Sequence, residues 1–144
     1  MSAAVDANVL LYASDPGSPA QRDALETLAQ WAEGPELLYV FWPVAMAYLR
    51  IVTHPTILGA PLPPAAAIAN LEDLIGRPNV RTPGERDGFL ASYVAATDGL
   101  TLRGDAVPDA HLVALMRQHG VTKIITRDRG FRRFRGIDVL DPFA

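Results

Sequence analysis

Residues 121–126 read VTKIIT, the clearest strand in the sequence, and an aspartate, Asp128, follows it closely. The residues before this strand, 105–119, have the pattern of a helix that ends at a glycine. A short helix is expected at 128–134, and a last strand at 137–140. The second half of the chain is therefore predicted to alternate between helix and strand.

The same alternation is predicted from the beginning of the chain. Residues 3–5 form a short apolar run that ends at Asp6 and reads as a buried strand, and residues 8–13 continue as a helical turn. Ser18 and Gln21 have the spacing of a capping box, which predicts a helix to about residue 33. The middle of the chain adds a strand at 37–40, helices at 43–52 and 63–75, a short strand at 79–81, and a capping box at 82–85 that opens a helix to 97.

Short apolar strands that alternate with helices predict an α/β fold with a mostly parallel central sheet and helices on both faces. A length of 144 residues fits one domain, residues 1–144. In such sheets, ligands bind at the carboxyl ends of the strands. Polar residues that follow the strands are therefore the first candidates for a functional site.

Composition excludes several classes of site and of protein. The chain has no cysteine, so disulfides and thiolate zinc sites are ruled out, and any metal must be held by oxygen or histidine. No apolar run reaches the roughly 18 residues that span a bilayer. An acid at position 6 argues against a signal peptide. We therefore expect a cytoplasmic protein with no membrane segment.

Charge is concentrated in one segment of the chain. The net charge is −3, which does not by itself favour a nucleic-acid partner. Residues 127–135, however, read RDRGFRRFR, with five arginines and one acid. A concentrated basic segment can bind a phosphate backbone even in an acidic protein.

Three aspartates occupy positions where a site is expected. Asp6 ends the first strand, Asp128 follows the clearest strand, and Asp109 lies in the first turns of the helix between them. Mg²⁺ prefers a few carboxylates plus waters, and phosphodiester hydrolysis uses a bound cation. Aspartate is also a common N-cap at such junctions. From the residues alone, a metal site and three helix caps remain equally acceptable interpretations.

The sequence resembles a known family. The segments DANVLLYA at 6–13, PDAHLVAL at 108–115 and IITRDRGF at 124–131 are similar to motifs of PIN domains, and WPVAMAYLRIVTHP at 42–55 resembles the second motif of VapC-type toxins. The segments follow the family's order over nearly the whole chain. The resemblance implies a five-stranded parallel sheet, dependence on Mg²⁺ or Mn²⁺, and cleavage of RNA, often tRNA. It also implies a homodimer and inhibition by a VapB-type antitoxin.

The resemblance also implies roles for particular residues. Asp6, Asp109 and Asp128 match the family's metal-binding, catalytic acids, and Asn8 and Thr126 match its polar supports. The family's usual products would carry a 5′-phosphate and a 3′-hydroxyl.

One position departs from the family pattern. The second motif usually carries a glutamate where this chain has Ala47, and no other carboxylate lies between Glu36 and Glu72. Asp105, one helical turn before Asp109, could supply the missing metal ligand, or it could be only a helix N-cap. If no residue compensates, the alternative function is a catalytically degenerate PIN domain that binds RNA or a protein.

Two further interpretations concern the basic segment and an unrelated chemistry. Several arginines could contact the RNA backbone or an acidic antitoxin segment, although they could equally form a solvated face; these are Arg127, Arg129, Arg132 and Arg133 together with Arg50. Phe131 and Phe134 are expected in the core rather than as stacking platforms for bases. A phosphotransfer receiver or an aspartyl-phosphate phosphatase would need a lysine after a strand, but Lys123 lies inside one.

Overall fold

The computed structural model describes residues 1–143, in which strands and helices alternate. The strands are β1 (Ser2–Val5), β2 (Leu37–Tyr39), β3 (Val80–Arg81), β4 (Lys123–Ile125) and β5 (Asp138–Leu140). The α-helices are α1 (Ala7–Ala13), α2 (Gln21–Ala32), α3 (Trp42–Val52), α4 (Pro64–Ile75), α5 (Phe89–Ala96) and α6 (Ala106–Gln118). A short 3₁₀ helix at Arg129–Arg133 connects β4 to β5.

The strands form one parallel sheet in the order β3-β2-β1-β4-β5. The central strand β1 pairs with β2 on one side and with β4 on the other, where Ala4 lies opposite Ile124. Ala4 and Ile124 are fully buried. Strands covered on both faces consist of apolar runs rather than alternating residues, which is why these strands were recognisable in the sequence.

The path of the chain places helices on both faces of the sheet. Right-handed crossovers from β1 to β2 and from β2 to β3 put α1 to α4 on one face, and the return from β3 to β4 puts α5 and α6 on the other. The helix contacts agree, because α1 packs against α2 and α3, whereas α5 packs against α6. The predicted α/β architecture is confirmed. No helix within residues 1–143 is long and apolar enough to cross a membrane.

The order of the strands reverses between β1 and β4. The chain moves from β1 to one edge of the sheet through β2 and β3, then returns to place β4 on the other side of β1. The carboxyl ends of these neighbouring strands lie side by side, and the Asp6 amide donates to the Ile125 carbonyl at 3.0 Å. Such a switch point is where open parallel sheets bind ligands.

Both predicted capping boxes are wrong, because their polar side chains bind elsewhere. Gln21 donates to the Ala13 carbonyl at 3.2 Å instead of reaching back to Ser18, and α2 begins at Gln21 itself. Glu85 lies 2.8 Å from His111 on α6, and α5 begins only after Gly88. In each case a bond to a residue distant in the sequence replaces the local one.

Phe131 and Phe134 lie in the core, as predicted, and each is 1% exposed. Their ring centres are 6.1 Å apart, and they fix the 3₁₀ helix to the sheet. Tyr48 on α3 is also buried, and its hydroxyl joins two other elements. That oxygen lies 2.7 Å from Ser14 Oγ and accepts from Asn70 Nδ2 at 3.1 Å.

Replacing Tyr48 with Phe removes this hydroxyl and leaves its two partners to find water. We expect the free energy of unfolding to fall by about 1–2 kcal/mol. Urea denaturation followed by circular dichroism measures the change. Tyr93→Phe is the matched control, because the Tyr93 hydroxyl has no hydrogen-bond partner within the described residues, and an equal loss in that variant would contradict the assignment.

Candidate active site

The Thr126 hydroxyl stands at the centre of the switch point. Thr126 directly follows β4 and is completely buried. Its Oγ1 donates to Asp6 Oδ2 at 2.7 Å, accepts from Asn8 Nδ2 at 2.9 Å and accepts from the Asp128 amide at 2.9 Å. A hydroxyl has one proton to donate and two lone pairs, so its hydrogen-bonding capacity is fully used. One atom therefore joins the ends of β1 and β4 to the first turn of α1.

Asp6 is both a helix cap and a member of the site. Its Oδ1 accepts from the Ala7 amide at 2.8 Å, which caps α1, and its Oδ2 faces Thr126 and Asn8. Burial raises the pKa of Asp6, and the charge of Asp128 raises it further, while the hydrogen bonds from Thr126 and Ala7 lower it. The two interpretations of Asp6 that the sequence left open are thus compatible.

Asp128 follows Thr126 by two residues and caps the 3₁₀ helix. Its Oδ1 accepts from the Gly130 amide at 2.8 Å. A Cβ atom at position 130 would lie only 2.9 Å from that oxygen, so glycine allows the close approach. The carboxylate is thereby held at the carboxyl end of β4, beside Asp6.

Asp109 reaches the same edge of the sheet from α6. A helix that leads into a parallel strand begins at the carboxyl edge of the sheet, and Asp109 lies in the first turn of α6. Burial and the charges of Asp128 and Asp6 raise the pKa of Asp109 to about 6. Arg133 opposes this shift, with its Nη2 3.2 Å from Asp109 Oδ2. The charges of Asp6 and Asp128 therefore act on Asp109 at this edge of the sheet, and the use of the three aspartates as one catalytic metal site stays a prediction.

Other predicted site residues lie apart from this cluster. Asp105 is exposed and occupies the N-cap position of α6, as one interpretation expected, but its side chain makes no capping hydrogen bond. Its role as a substitute metal ligand stays a prediction. Arg50 is exposed in the last turn of α3. Ala47 lies on the same helix and contributes no oxygen to the site.

The carboxylate oxygens of the cluster suit a hard divalent cation, although the side chains are not arranged around one. No group of three or more Asp, Glu, His or Cys side chains within residues 1–143 is arranged to hold an ion as it stands. The reasons are visible in the contacts, because Arg133 binds Asp109 and a backbone amide binds Asp128. Carboxylate oxygens are the ligands that Mg²⁺ and Mn²⁺ prefer, and mutual repulsion of these acids would be relieved by a cation. The chemistry of this donor set is therefore that of a hard divalent-cation site, in an arrangement that does not enclose an ion as it stands.

The site is open to solvent rather than enclosed. A cavity of about 400 Å³ lies elsewhere, against α2 and α4, and Leu25, Leu28 and Leu71 are among its largely apolar lining. The carboxylates instead border the arginine-rich segment, in which Arg127, Arg129 and Arg132 are exposed. An open acidic centre with a basic border suits a polymeric anion better than a small enclosed ligand.

Fold and site together define an α/β domain with a carboxylate cluster at the switch point of a parallel sheet. The model of the PIN domain family matches residues 3–137. The chain is 49% identical over 144 residues to ribonuclease VapC48 of Mycobacterium tuberculosis, covering 100% of this chain and 99% of that protein. It is 31% identical over 135 residues to ribonuclease VapC37 of the same organism, covering 92% of each. The chain belongs to the PIN-domain family and, within it, to the VapC group.

Solved structures share the fold at low sequence identity. A chain in the structure of VapBC2 from Rickettsia felis, bound to a DNA fragment from the promoter, matches with a TM-score of 0.68 at 12% identity, over 97% of this chain and 98% of that one. VapC20 of Mycobacterium tuberculosis, a toxin that cleaves the sarcin–ricin loop, matches with a TM-score of 0.66 at 16% identity, over 94% and 98%. These likenesses confirm the PIN-like fold.

The raised pKa of Asp109 predicts a characteristic dependence of stability on pH in metal-free buffer. The folded protein holds this proton more tightly than the unfolded chain, whose pKa is near 3.8, so the free energy of unfolding falls as pH rises from about 4 to about 6. The Asp109→Asn variant has no carboxyl group to titrate at this position, so its free energy of unfolding does not fall in this way as pH rises. We expect the variant to be more stable than the native protein by about 1–2 kcal/mol at pH 8, after allowance for partial solvent exposure, and equally stable at pH 4.

Urea denaturation across this pH range, with EDTA present, measures the difference. The matched control is Asp98→Asn, which changes the net charge equally at an exposed loop position. A stability gap for Asp109→Asn that is the same at pH 4 and pH 8 would contradict the raised pKa of Asp109, which is attributed first to burial and then to the charges of Asp128 and Asp6.

Proposed function

We propose that this protein is an endoribonuclease toxin of the VapC type that cuts RNA with the help of Mg²⁺ or Mn²⁺. The observation that carries the proposal is the cluster of Asp6, Asp109 and Asp128 at the switch point of the sheet, in which the charge of Asp128 raises the pKa of both Asp6 and Asp109. The named ribonucleases, which align with 100% and 92% of the chain, support the same reaction class. A structured RNA such as tRNA is the proposed substrate.

The three aspartates would hold the cation, and the rest of the site would position the acids and the substrate. A bound divalent cation supplies charge stabilisation and an activated water at a phosphate. Thr126 and Asn8 orient Asp6 through hydrogen bonds of 2.7 and 3.3 Å. Such supporting contacts fix the direction of ligand oxygens and tune their basicity. The capping bonds of Asp6 and Asp128 keep both carboxylates at the carboxyl ends of their strands.

The arginines beside the cluster would bind the RNA backbone. Arg127, Arg129 and Arg132 are exposed on the segment that follows β4. Arg133 belongs to the same segment but already pairs with Asp109 in the cluster. Its guanidinium carbon is 5.1 Å from the Phe134 ring centre. Arg50 on α3 is the more distant candidate. Phosphate contacts of this kind are independent of RNA sequence and weaken with salt.

A VapB-type antitoxin is the proposed protein partner, and the cytoplasm is the proposed location. Solved relatives of the fold include toxin–antitoxin complexes from Rickettsia felis and Klebsiella pneumoniae. An acidic antitoxin segment would compete with RNA for the basic border of the site. The homodimer implied by the family resemblance stays a prediction.

Ala47 favours one alternative function, a PIN domain that binds RNA or a protein without cutting it. This position on α3 carries no oxygen where the family usually places a glutamate. A site with three acids has fewer ligands for the cation, so weak metal affinity is the specific way in which activity could be lost. The two functions are separated by whether bound RNA is cut.

Cleavage of purified tRNA in the presence of Mg²⁺, Mn²⁺ or EDTA tests the proposal. The native protein is expected to give products with 5′-phosphate and 3′-hydroxyl ends with either metal, and none with EDTA. Asp6→Asn, Asp109→Asn and Asp128→Asn are each expected to lose about a hundredfold or more of the rate, because ligand losses exceed those of supporting residues. Asp98→Asn, at an exposed site, is the matched control.

Two outcomes would contradict the proposed function. Cleavage that persists in EDTA or in Asp6→Asn would show that the aspartate cluster does not act as proposed. Tight RNA binding without any cleavage under these conditions would favour the degenerate binding domain.

A further inference from the structure

The Arg127 guanidinium lies against two adjacent aromatic rings at the border of the site. Its guanidinium carbon lies 5.5 Å from the centre of the Tyr12 ring and 5.6 Å from the centre of the Phe143 ring. The two rings meet edge to face, with centres 5.3 Å apart. Cation–π contacts with two rings restrict the long arginine side chain to a narrow set of positions.

The hydrogen-bond donors of this guanidinium have no partner within residues 1–143. Two neighbouring arginines are paired with carboxylates, since Arg129 lies 3.7 Å from Asp141 and Arg133 lies 3.2 Å from Asp109. Arg127 is exposed, and only its backbone amide makes a hydrogen bond. Ordering an arginine normally costs side-chain entropy when a ligand binds. Here two ring contacts restrict the side chain before any ligand binds, and its guanidinium donors are unpaired within residues 1–143.

Arg127 is linked to the carboxylate cluster through Asn8. Its backbone amide donates to Asn8 Oδ1 at 3.3 Å, and Asn8 in turn donates to Asp6. Tyr12 follows Asn8 by four residues on α1, so the two side chains share a helix face. The Tyr12 ring is therefore placed by the same helix that Asp6 caps.

Phe143 is brought to this position by the turn that follows β5. The amide of Phe143 donates to Asp141 Oδ1 at 2.9 Å, and Asp141 also pairs with Arg129. The Asp141 side chain is only 10% exposed. The turn at 141–143 is thus folded back against the residues that follow β4, where its ring covers one side of Arg127.

We propose that Tyr12, Arg127 and Phe143 form a phosphate-binding subsite for RNA beside the aspartate cluster. The inference rests on the proposed function and adds to it the residues that bind the substrate next to the reacting phosphate. A phosphodiester chain carries further phosphates on both sides of the one that is cut, so a cutting site benefits from a fixed cation one phosphate away. Arg127 binds that phosphate through its unpaired guanidinium donors, and the two rings act as positioning residues for Arg127.

Binding to a fluorescent, short single-stranded RNA of mixed sequence, measured by anisotropy in EDTA, separates this inference from catalysis. Arg127→Gln is expected to weaken binding about fivefold to tenfold and to reduce the slope of log affinity against log salt by about 0.7, the value for one lost phosphate contact. Tyr12→Leu and Phe143→Leu keep apolar bulk and are expected to weaken binding about two- to fivefold. Phe89→Leu, at a ring packed on His111, is the matched control and should bind normally.

Double variants test whether the rings act through Arg127. Adding Phe143→Leu to Arg127→Gln is expected to cause no further loss of RNA affinity. If the ring substitutions weaken binding equally with and without Arg127, the rings contact RNA themselves and the inference is overturned. Melting temperatures of all variants identify any loss of folding. In Arg127→Lys the positive charge is kept but the planar group that stacks on the rings is lost, and RNA binding to this variant is measured in the same way.

The position of the contact is tested with RNAs that carry a single neutral methylphosphonate at successive positions around the cleavage site. One such substitution next to the cut is expected to make native and Arg127→Gln proteins bind equally. If no position does so, or if Arg127→Gln weakens binding of polyglutamate but not of RNA, the inference is overturned in favour of a protein partner. Because binding is measured without metal, a failure of Asp6→Asn to stop cleavage would overturn the proposed function without changing these results.

Discussion

One buried hydroxyl determines how the ends of the two central strands meet. Among the side chains of residues 1–143, Thr126 is the one polar side chain that is buried. Its hydroxyl oxygen contacts Asp6, Asn8 and the Asp128 amide. Each contact fixes a different element: the end of β1, the first turn of α1 and the entry to the 3₁₀ helix. A hydroxyl buried without these partners would be strongly unfavourable, so the three elements are fixed together.

The same arrangement gathers negative charge that is unfavourable in the absence of a cation. Burial and mutual repulsion raise the pKa values of Asp6 and Asp109, and Arg133 offsets only part of the effect at Asp109. The capping bonds to Ala7 and Gly130 keep the acids in place despite this repulsion. Functional sites commonly concentrate perturbed carboxylates in this way. The cluster therefore favours a cationic ligand at the position where the sheet opens.

The parts of the fold and site that follow from local sequence were predictable, and the parts that depend on distant contacts were not. The apolar runs before Asp6 and Thr126 identified β1 and β4, since strands buried on both faces leave a continuous apolar signal. The capping boxes misled because Gln21 and Glu85 bind residues from other elements. The contact of Tyr12 with Phe143 joins opposite ends of the described chain. No periodicity or spacing indicates such a contact before the sheet has formed.

We infer that Asp6, Asp109 and Asp128 share one electrostatic site, and nuclear magnetic resonance tests this inference directly. Carboxyl-carbon shifts of Asp6 and Asp109 are followed against pH in metal-free native protein and in Asp128→Asn, where asparagine can still cap the 3₁₀ helix. Because the charge of Asp128 raises both pKa values, both are expected to fall in the variant. Unchanged pKa values for Asp6 and Asp109 would show that the three carboxylates do not form one site.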